Sequence, residues 1–288
     1  MKRILVTGGS GFVGSYVSSR LKESPGLTVD VLGEGGLAGI RLGQPATLMQ
    51  SLADSAPYDV VINLAAHIGN DPEKLTASNF HGIHDVLDFC NNTGVGRLIH
   101  LSRSFSVKRE TLPVPTTRLG RLYEYSKKYA ELLINEYSRV PTSVFRITAP
   151  IWPTMPKERY LSQILLSIAS QQPIKIFGQG RRIQNYVRLD DISDAISADV
   201  REAVKNSIDY FMVCGPENFS DFQLAEAVCA RLKAPFKYEL VAPPIGMPID
   251  ESNYGIEKAD LANCPLNIKT RPIDSGLLQE HLRILTGN

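Results

Sequence analysis

The stretch "RILVTGGSGFVGSYVSSRL", residues 3–21, constrains this chain more than any other. A short β-rich run passes straight into a glycine cluster, and the cluster opens into a helical pattern. Gly9, Gly11 and Gly14 satisfy G-x-G-x-x-G, while Gly8, Gly11 and Gly14 satisfy G-x-x-G-x-x-G. Glycines at this spacing let the chain turn sharply and let backbone approach a pyrophosphate closely. The helix beyond them offers unpaired N–H groups and the positive end of its dipole to phosphate. A strand that ends in such a loop and starts a helix is the context in which the pattern means dinucleotide binding. Cofactor contacts are therefore expected at Gly8, Gly11, Phe12 and Val13.

The rest of the first half repeats the rhythm. Strand patterns at 3–7, 27–32, 59–65, 97–102 and 142–147 alternate with helical patterns near 12–23, 46–55, 75–93 and 120–138. Such alternation predicts βαβ units and a parallel sheet covered on both faces, with "DVVINLA" apolar enough to be buried on both sides. After residue 150 the prolines of "APIWPTMPKERY" and later "VAPPIGMP" break this rhythm. The expected architecture is α/β, a Rossmann-type doubly wound parallel sheet over 1–150. A smaller C-terminal substrate lobe follows over 151–288, and about 185–214 returns to the sheet.

An acidic residue near the end of the second strand would bind the adenosine ribose hydroxyls. Asp30 lies mid-strand, and its carboxylate would project into a helix-covered face. Glu34 lies just beyond the strand and is better placed. A carboxylate there repels a 2′-phosphate and favours NAD, whereas Arg41 nearby leaves NADP open.

Composition narrows the partners. Thirty-one basic residues against thirty acidic ones, with no basic run, argue against nucleic acid or an anionic membrane surface. No segment approaches 18 consecutive apolar residues, and the apolar run at the start is too short for a secretory h-region. Cys90, Cys214, Cys229 and Cys264 lie far apart without a CxxC, as reduced thiols of a cytoplasmic protein would. His81 and His84 are three apart but have neither an HExxH pattern nor neighbouring cysteines, so no metal site is expected.

Residues 121–130, "RLYEYSKKYA", place two Tyr/Lys pairs on one helix. Tyr123 and Lys127, four apart, share one face; Tyr125 and Lys128, three apart, share another. Spacing alone leaves both pairs open, and a solvated amphipathic helix would carry such pairs as well.

Together "VTGGSGFVGS" (6–15), "DVVINLAAH" (59–67), "NFHG" (79–82), "LYEYSKKYAE" (122–131), "FGQGRRIQNYVRLDDI" (177–192) and "YGIEKADLANCP" (254–265) run through nearly the whole chain. In content and order they resemble the extended short-chain dehydrogenase/reductase family, the NAD-dependent epimerases and dehydratases of nucleotide sugars. The resemblance selects Tyr123 as the acid/base, with Ser126 and Lys127 at the family's serine and lysine positions. It implies that Lys127 also holds the nicotinamide ribose. An ammonium near a phenol favours the phenolate, which can then take a hydroxyl proton while hydride leaves to nicotinamide. Leu64, Ala65, Ala66 and Ser102 are implied as further cofactor contacts, Asn79 as a structural link between helix and strand, and a homodimer built on two long helices as the assembly.

The pattern departs from the family at named positions. The serine or threonine that hydrogen-bonds the reacting oxygen falls on Arg103 in an ungapped count, and on Ser104 if one residue is inserted. Val107, Lys108 and Arg109 replace the family's Val-Tyr-Gly. The arginine usual at the nucleotide diphosphate falls on Gln184, which leaves Arg181 and Arg182 as its substitutes. Ala149 stands where many members carry asparagine. His67, at the carboxyl end of a sheet strand, is a substrate-contact candidate. Trp152 either stacks on a substrate ring or packs between lobes.

The activity implied is an NAD-dependent enzyme that transiently oxidises a sugar nucleotide, an epimerase first. A dehydratase would want an acid beside the catalytic serine, and "SRSFSV" has none. An NADPH-dependent keto-sugar-nucleotide reductase and a non-catalytic NAD(P)-binding sensor are the alternatives, the latter favoured by Arg103 and opposed by the intact Tyr123 and Lys127.

Overall fold

The computed structural model describes residues 1–33, 42–43, 47–52, 57–69, 71–104, 118–202, 206–242, 253–256 and 270–287. Glu34, Arg41, Val107, Lys108, Arg109 and Cys264 lie outside them.

The first strand, β1 (Lys2–Thr7), buries Ile4, Leu5 and Val6 completely, and its neighbour is β2 (Leu27–Leu32). Between them the glycine loop leads into α1 (Phe12–Lys22). After the short α2 (Thr47–Leu52), β3 (Val60–Asn63) pairs with the other edge of β1. The chain then forms α3 (Pro72–Leu75), a π-helical turn over Thr76–His81, and α4 (Gly82–Asn92). Next come β4 (Arg97–Arg103), the long α5 (Arg118–Tyr137) and β5 (Thr142–Ile147).

Alternation fails in β3 and most of β4 because both faces are covered: all four residues of β3 and the first six of β4 are buried. One face packs against α1, through Val17 and Leu21, in a core that includes Ile4, Val6, Ile62, Ile99 and Phe145. The opposite face, with Leu5, Val61, Leu98 and Val144, packs against Leu87 of α4 and Ala130 and Ile134 of α5.

The chain returns to this sheet from its second half. β8 (Ile183–Arg188) leads into α7 (Leu189–Arg201), whose Leu189, Ile192, Ala195 and Ile196 join the first core, and β9 (Ile208–Val213) then pairs with β5. The described sheet has six strands in the order β2-β1-β3-β4-β5-β9, and every pairing is parallel. Strand order reverses between β1 and β3, and ligands bind at such a reversal, outside the carboxyl ends of the strands.

The remaining elements form the C-terminal lobe. β6 (Ala149–Ile151) pairs with β8, which also pairs with β10 (Asn218–Ser220) and β12 (Asn253–Tyr254). β7 (Ile174–Phe177) pairs with β11 (Tyr238–Val241). Three helices, α6 (Tyr160–Ala169), α8 (Asp221–Leu232) and α9 (Ser275–Thr286), enclose a third core with Ile164, Leu224 and Leu278. The α8 start is a capping box: Ser220 accepts from the Gln223 N–H, and the Gln223 side chain accepts from the Ser220 N–H.

Phe12 and Trp152 pack against both the sheet core and the C-terminal core, and the Trp152 ring lies 4.6 Å from that of Tyr16. Trp152 is thus an inter-lobe wedge against α1. No described helix is long and apolar enough to cross a membrane.

Candidate active site

The glycine loop and the end of β3 meet at the strand-order reversal. A Cβ on Gly8 would stand 2.5 Å from the Ala65 backbone, and Gly8 itself holds φ +72°. A Cβ on Gly14 would stand 2.0 Å from the Gly8 carbonyl oxygen. The fold's own close approaches demand both glycines. Gly11 differs: among the described residues its Cβ would meet only the Gly8 carbonyl oxygen, at 3.3 Å, and its backbone (φ −75°, ψ 170°) suits any residue. The described residues leave the space over Gly11 open to an incoming group. No side chain caps α1 there, and no acidic residue stands in its first turn, where Phe12 and Val13 lie. A bare helix N-terminus behind an open glycine fits a pyrophosphate. Leu64 adjoins this crevice through its N–H, which donates to the Thr7 carbonyl at 3.1 Å, and Ala65 and Ala66 follow it half-buried.

Asp30 is engaged elsewhere. Its carboxylate accepts from the Arg3 guanidinium at 2.9 Å and from the Tyr58 hydroxyl at 3.0 Å.

Across the crevice, α5 presents Tyr123 and Lys127 at the carboxyl end of β4. Lys127 is 6% exposed, and its Nζ donates to the Leu101 carbonyl at 3.0 Å. Burial pulls its ammonium below the ordinary lysine range, and the neighbouring Tyr123 and Glu131 oppose that pull. The second pair is placed otherwise: Tyr125 is 57% exposed on the outer side of α5. The helix is seated by Asn79, which the π-helical turn brings into position. Asn79 accepts from the His67 N–H at 2.7 Å, and its amide donates to the His67 carbonyl and to Ser126 Oγ, both at 3.1 Å. Ser126 in turn donates to the Tyr123 carbonyl at 2.7 Å. One asparagine thus ties the loop after β3 to the turn of α5 that carries Tyr123 and Lys127. Nε2 of His67 is buried with no hydrogen-bond partner among the described residues.

At the tip of β4 the Arg103 guanidinium lies 5.8 Å from the Tyr123 ring centroid. Burial pulls it below the ordinary arginine range, opposed by Tyr123 and by Tyr254 of β12. Ser104 is buried next to it. The Ser102 hydroxyl, expected at the cofactor, instead donates to Glu131 of α5, so this side chain is committed to helix packing. Burial pushes the Glu124 carboxyl up, opposed by Lys128 and Arg103.

Arg182 is engaged within the C-terminal lobe. Expected at a substrate diphosphate, it is buried in the C-terminal lobe with its Nε 3.0 Å and one terminal nitrogen 3.1 Å from the Asp221 carboxylate. A buried guanidinium paired with a buried carboxylate serves the lobe's packing. Arg181 is exposed on the turn before β8, and Gln184 pairs in register with Tyr254.

Sequence reasoning missed a buried chain beneath the crevice. Thr7 Oγ1 donates to Asn63 Oδ1 at 2.7 Å, and the Asn63 amide faces His100 Nδ1 at 3.2 Å. Because Asn63 Oδ1 also accepts from the Ala65 N–H, its NH2 group must point at His100, so Nδ1 accepts and the ring proton sits on Nε2. Burial first and the Lys127 charge second hold His100 neutral, far below the ordinary histidine range. The polar letters of "VVINLA" and "RLIHLS" were the available signal, since a buried polar residue in a two-sided strand needs a partner.

The sequence profile of the NAD dependent epimerase/dehydratase family matches residues 4–214. The chain belongs to that family. Among its relatives is the trifunctional UDP-glucose 4,6-dehydratase/UDP-4-keto-6-deoxy-D-glucose 3,5-epimerase/UDP-4-keto-L-rhamnose-reductase of Arabidopsis thaliana, 24% identical over 241 residues. That alignment covers 72% of this chain and 36% of the relative. The dTDP-D-glucose 4,6-dehydratase of Dictyostelium discoideum is 24% identical over 243 residues, 70% of this chain and 56% of the relative. The chain thus spans from about a third to somewhat over half of these two proteins. Among solved structures, the UDP-glucuronic acid 4-epimerase of Bacillus cereus, in complex with UDP-glucuronic acid and NAD, superposes with a TM-score of 0.71 at 20% identity, over 99% of both chains. As a member of this epimerase/dehydratase family the chain has the family's mostly parallel sheet with flanking helices, which the strand order above displays.

Proposed function

We propose that this protein binds NAD in the crevice over Gly8, Gly11 and the first turn of α1, and transiently oxidises a sugar nucleotide, as a 4-epimerase does. The observation that carries the reading is the placement of Tyr123 and a buried Lys127 on one face of α5, across the open glycine loop at the strand-order reversal. When bound, the nicotinamide supplies a hydride acceptor and donor. The protein's residues do the rest. Tyr123 takes the proton of the hydroxyl being oxidised and returns it afterwards. Lys127, fixed by the Leu101 carbonyl, places its positive charge where negative charge develops on the Tyr123 oxygen. Arg103 donates to the reacting oxygen in place of the family's hydroxyl. A guanidinium cannot accept a proton near neutral pH, so in this chain proton transfer runs directly between substrate and Tyr123. Leu64, Ala65 and Ala66 line the cofactor side, and His67, Arg181 and Gln184 the substrate side. Its substrate would be a UDP- or dTDP-sugar, the class that the names of its relatives print, and it would work as a homodimer.

One observation favours dehydration as a second reading. Glu124, beside Tyr123, is a buried carboxyl that burial pushes up from the ordinary glutamate range, the direction needed by an acid that protonates a departing substrate hydroxyl. Incubation of the protein and NAD with UDP-glucose, UDP-glucuronic acid and dTDP-glucose, followed by proton NMR, tests both readings. An axial/equatorial exchange at C4 supports the epimerase, and a 4-keto-6-deoxy product supports the dehydratase. An Arg103→Ala variant that turns over as fast as the parent would remove Arg103 from the mechanism.

A further inference from the structure

One helical turn beyond Lys127, on the same face of α5, Glu131 is a buried carboxylate that the proposed proton transfer does not use. Two strands converge on it. Ser102 of β4 donates its hydroxyl to one carboxylate oxygen. Arg146 of β5 reaches both oxygens, through Nε at 3.3 Å and a terminal nitrogen at 2.7 Å. Arg146 is itself fixed, its guanidinium 4.3 Å from the centroid of Tyr210 on β9, whose hydroxyl accepts from Asn135 of α5 at 2.6 Å.

The position of Ser102 makes this clamp consequential. Leu101, the residue before it, supplies the carbonyl that holds Lys127 Nζ. Arg103, the residue after it, lies over the Tyr123 ring. One carboxylate therefore pins the strand segment from which both the lysine anchor and the arginine are presented. It is also the negative charge facing a buried ammonium. Among the described residues, the other charged or titratable groups around Lys127 are Tyr123 on its own helix, and Arg103 and the neutral His100 from β4. Tyr123 and Glu131 favour the ammonium; burial and Arg103 oppose it.

We propose that Glu131, clamped between Ser102 and Arg146, is a positioning residue that keeps Lys127 charged beside Tyr123 and fixes the last residues of β4 under both. The proposal rests on the reading of Tyr123 and Lys127 as the proton-handling pair, but its central test does not depend on turnover.

That test is a pH titration of Lys127 in the full chain labelled with 13Cε-lysine, with its signal assigned by its loss in Lys127→Met. Glu131→Gln keeps the shape and removes the negative charge, so the Lys127 midpoint should fall by about one pH unit, the low end of what a neighbouring opposite charge is worth. Arg146→Gln leaves Glu131 without its cation, so the midpoint should rise. The basic limb of the pH–rate profile should move in the same two directions. Ser102→Ala should lower turnover and leave the midpoint in place. A purely structural carboxylate would give no displacement, or the same one in both charge variants, and either result overturns the proposal. Should Glu131→Gln fail to fold with Arg146 unpaired, Glu131→Gln/Arg146→Met carries the test, with a downward displacement expected and none overturning it. Undiminished turnover in Tyr123→Phe would instead sink the reading of the pair, and it leaves the contrast between the Glu131 and Arg146 variants as it stands.

Discussion

Replacing Gly11 by alanine separates what the fold needs from what the cofactor needs. The new methyl would meet one atom, the Gly8 carbonyl oxygen at 3.3 Å, a contact relieved by a shift of a few tenths of an ångström. The backbone at φ −75° and ψ 170° already suits alanine. Losing glycine's freedom in the unfolded chain stabilises by about 0.4–1 kcal/mol, while alanine is the poorer N-cap by an amount of the same order. The two terms nearly cancel, so the melting temperature should stay within a few degrees of the parent. The methyl occupies the space where a phosphate would approach the helix N-terminus. Displacing one charge-assisted hydrogen bond costs about 1.5–3 kcal/mol, or roughly 10- to 150-fold in affinity. Gly14→Ala is the contrasting case: its methyl would lie 2.0 Å from the same oxygen and under 3 Å from the Gly8 and Gly9 backbone, and the loop cannot absorb it. That variant should lose both stability and binding. Isothermal titration with NAD beside a thermal melt reads both quantities. Unchanged NAD affinity in Gly11→Ala, or a melting temperature as low as that of Gly14→Ala, would refute the reasoning.

Three more outcomes follow from the same geometry. Tyr123→Phe should lower turnover about 100- to 10,000-fold with NAD binding retained, whereas Tyr125→Phe, on the exposed side of α5, should leave both unchanged in a steady-state assay. Arg182→Ala should act on stability, because it removes a buried cation from the Asp221 carboxylate; breaking a buried pair costs about 3–5 kcal/mol, visible as a lower denaturant midpoint. Acid should weaken the fold through His100 and His281, which are buried and held below the ordinary histidine range. The unfolded chain takes up protons there that the folded chain refuses, so stability should fall as pH drops below about 6.5, by up to about 1.4 kcal/mol per pH unit for each histidine. His100→Gln should flatten that slope in a pH series of thermal melts.

Sequence alone determined whatever is local or periodic. The glycine loop between β1 and α1 and the alternation of strands and helices through β5 were legible, because each is a short pattern whose geometry depends on a few neighbouring residues; a linking role for Asn79 came only from the family resemblance. The two Tyr/Lys pairs were visible as well, although spacing alone did not choose between them. Tertiary structure made the difference there, by turning Tyr125 to solvent and burying Lys127 against the Leu101 carbonyl. It also gave Arg182 a buried partner, since Asp221, on the far side of β8, β9 and β10 in the sequence, pairs with it in space. Ser102 changed from a cofactor contact to a partner of Glu131 for the same reason. Thr7, Asn63 and His100 form one chain only because β1, β3 and β4 lie side by side. A charge or a buried polar group finds its partner by complementarity across the folded molecule, and a linear pattern carries no record of which distant residue that will be.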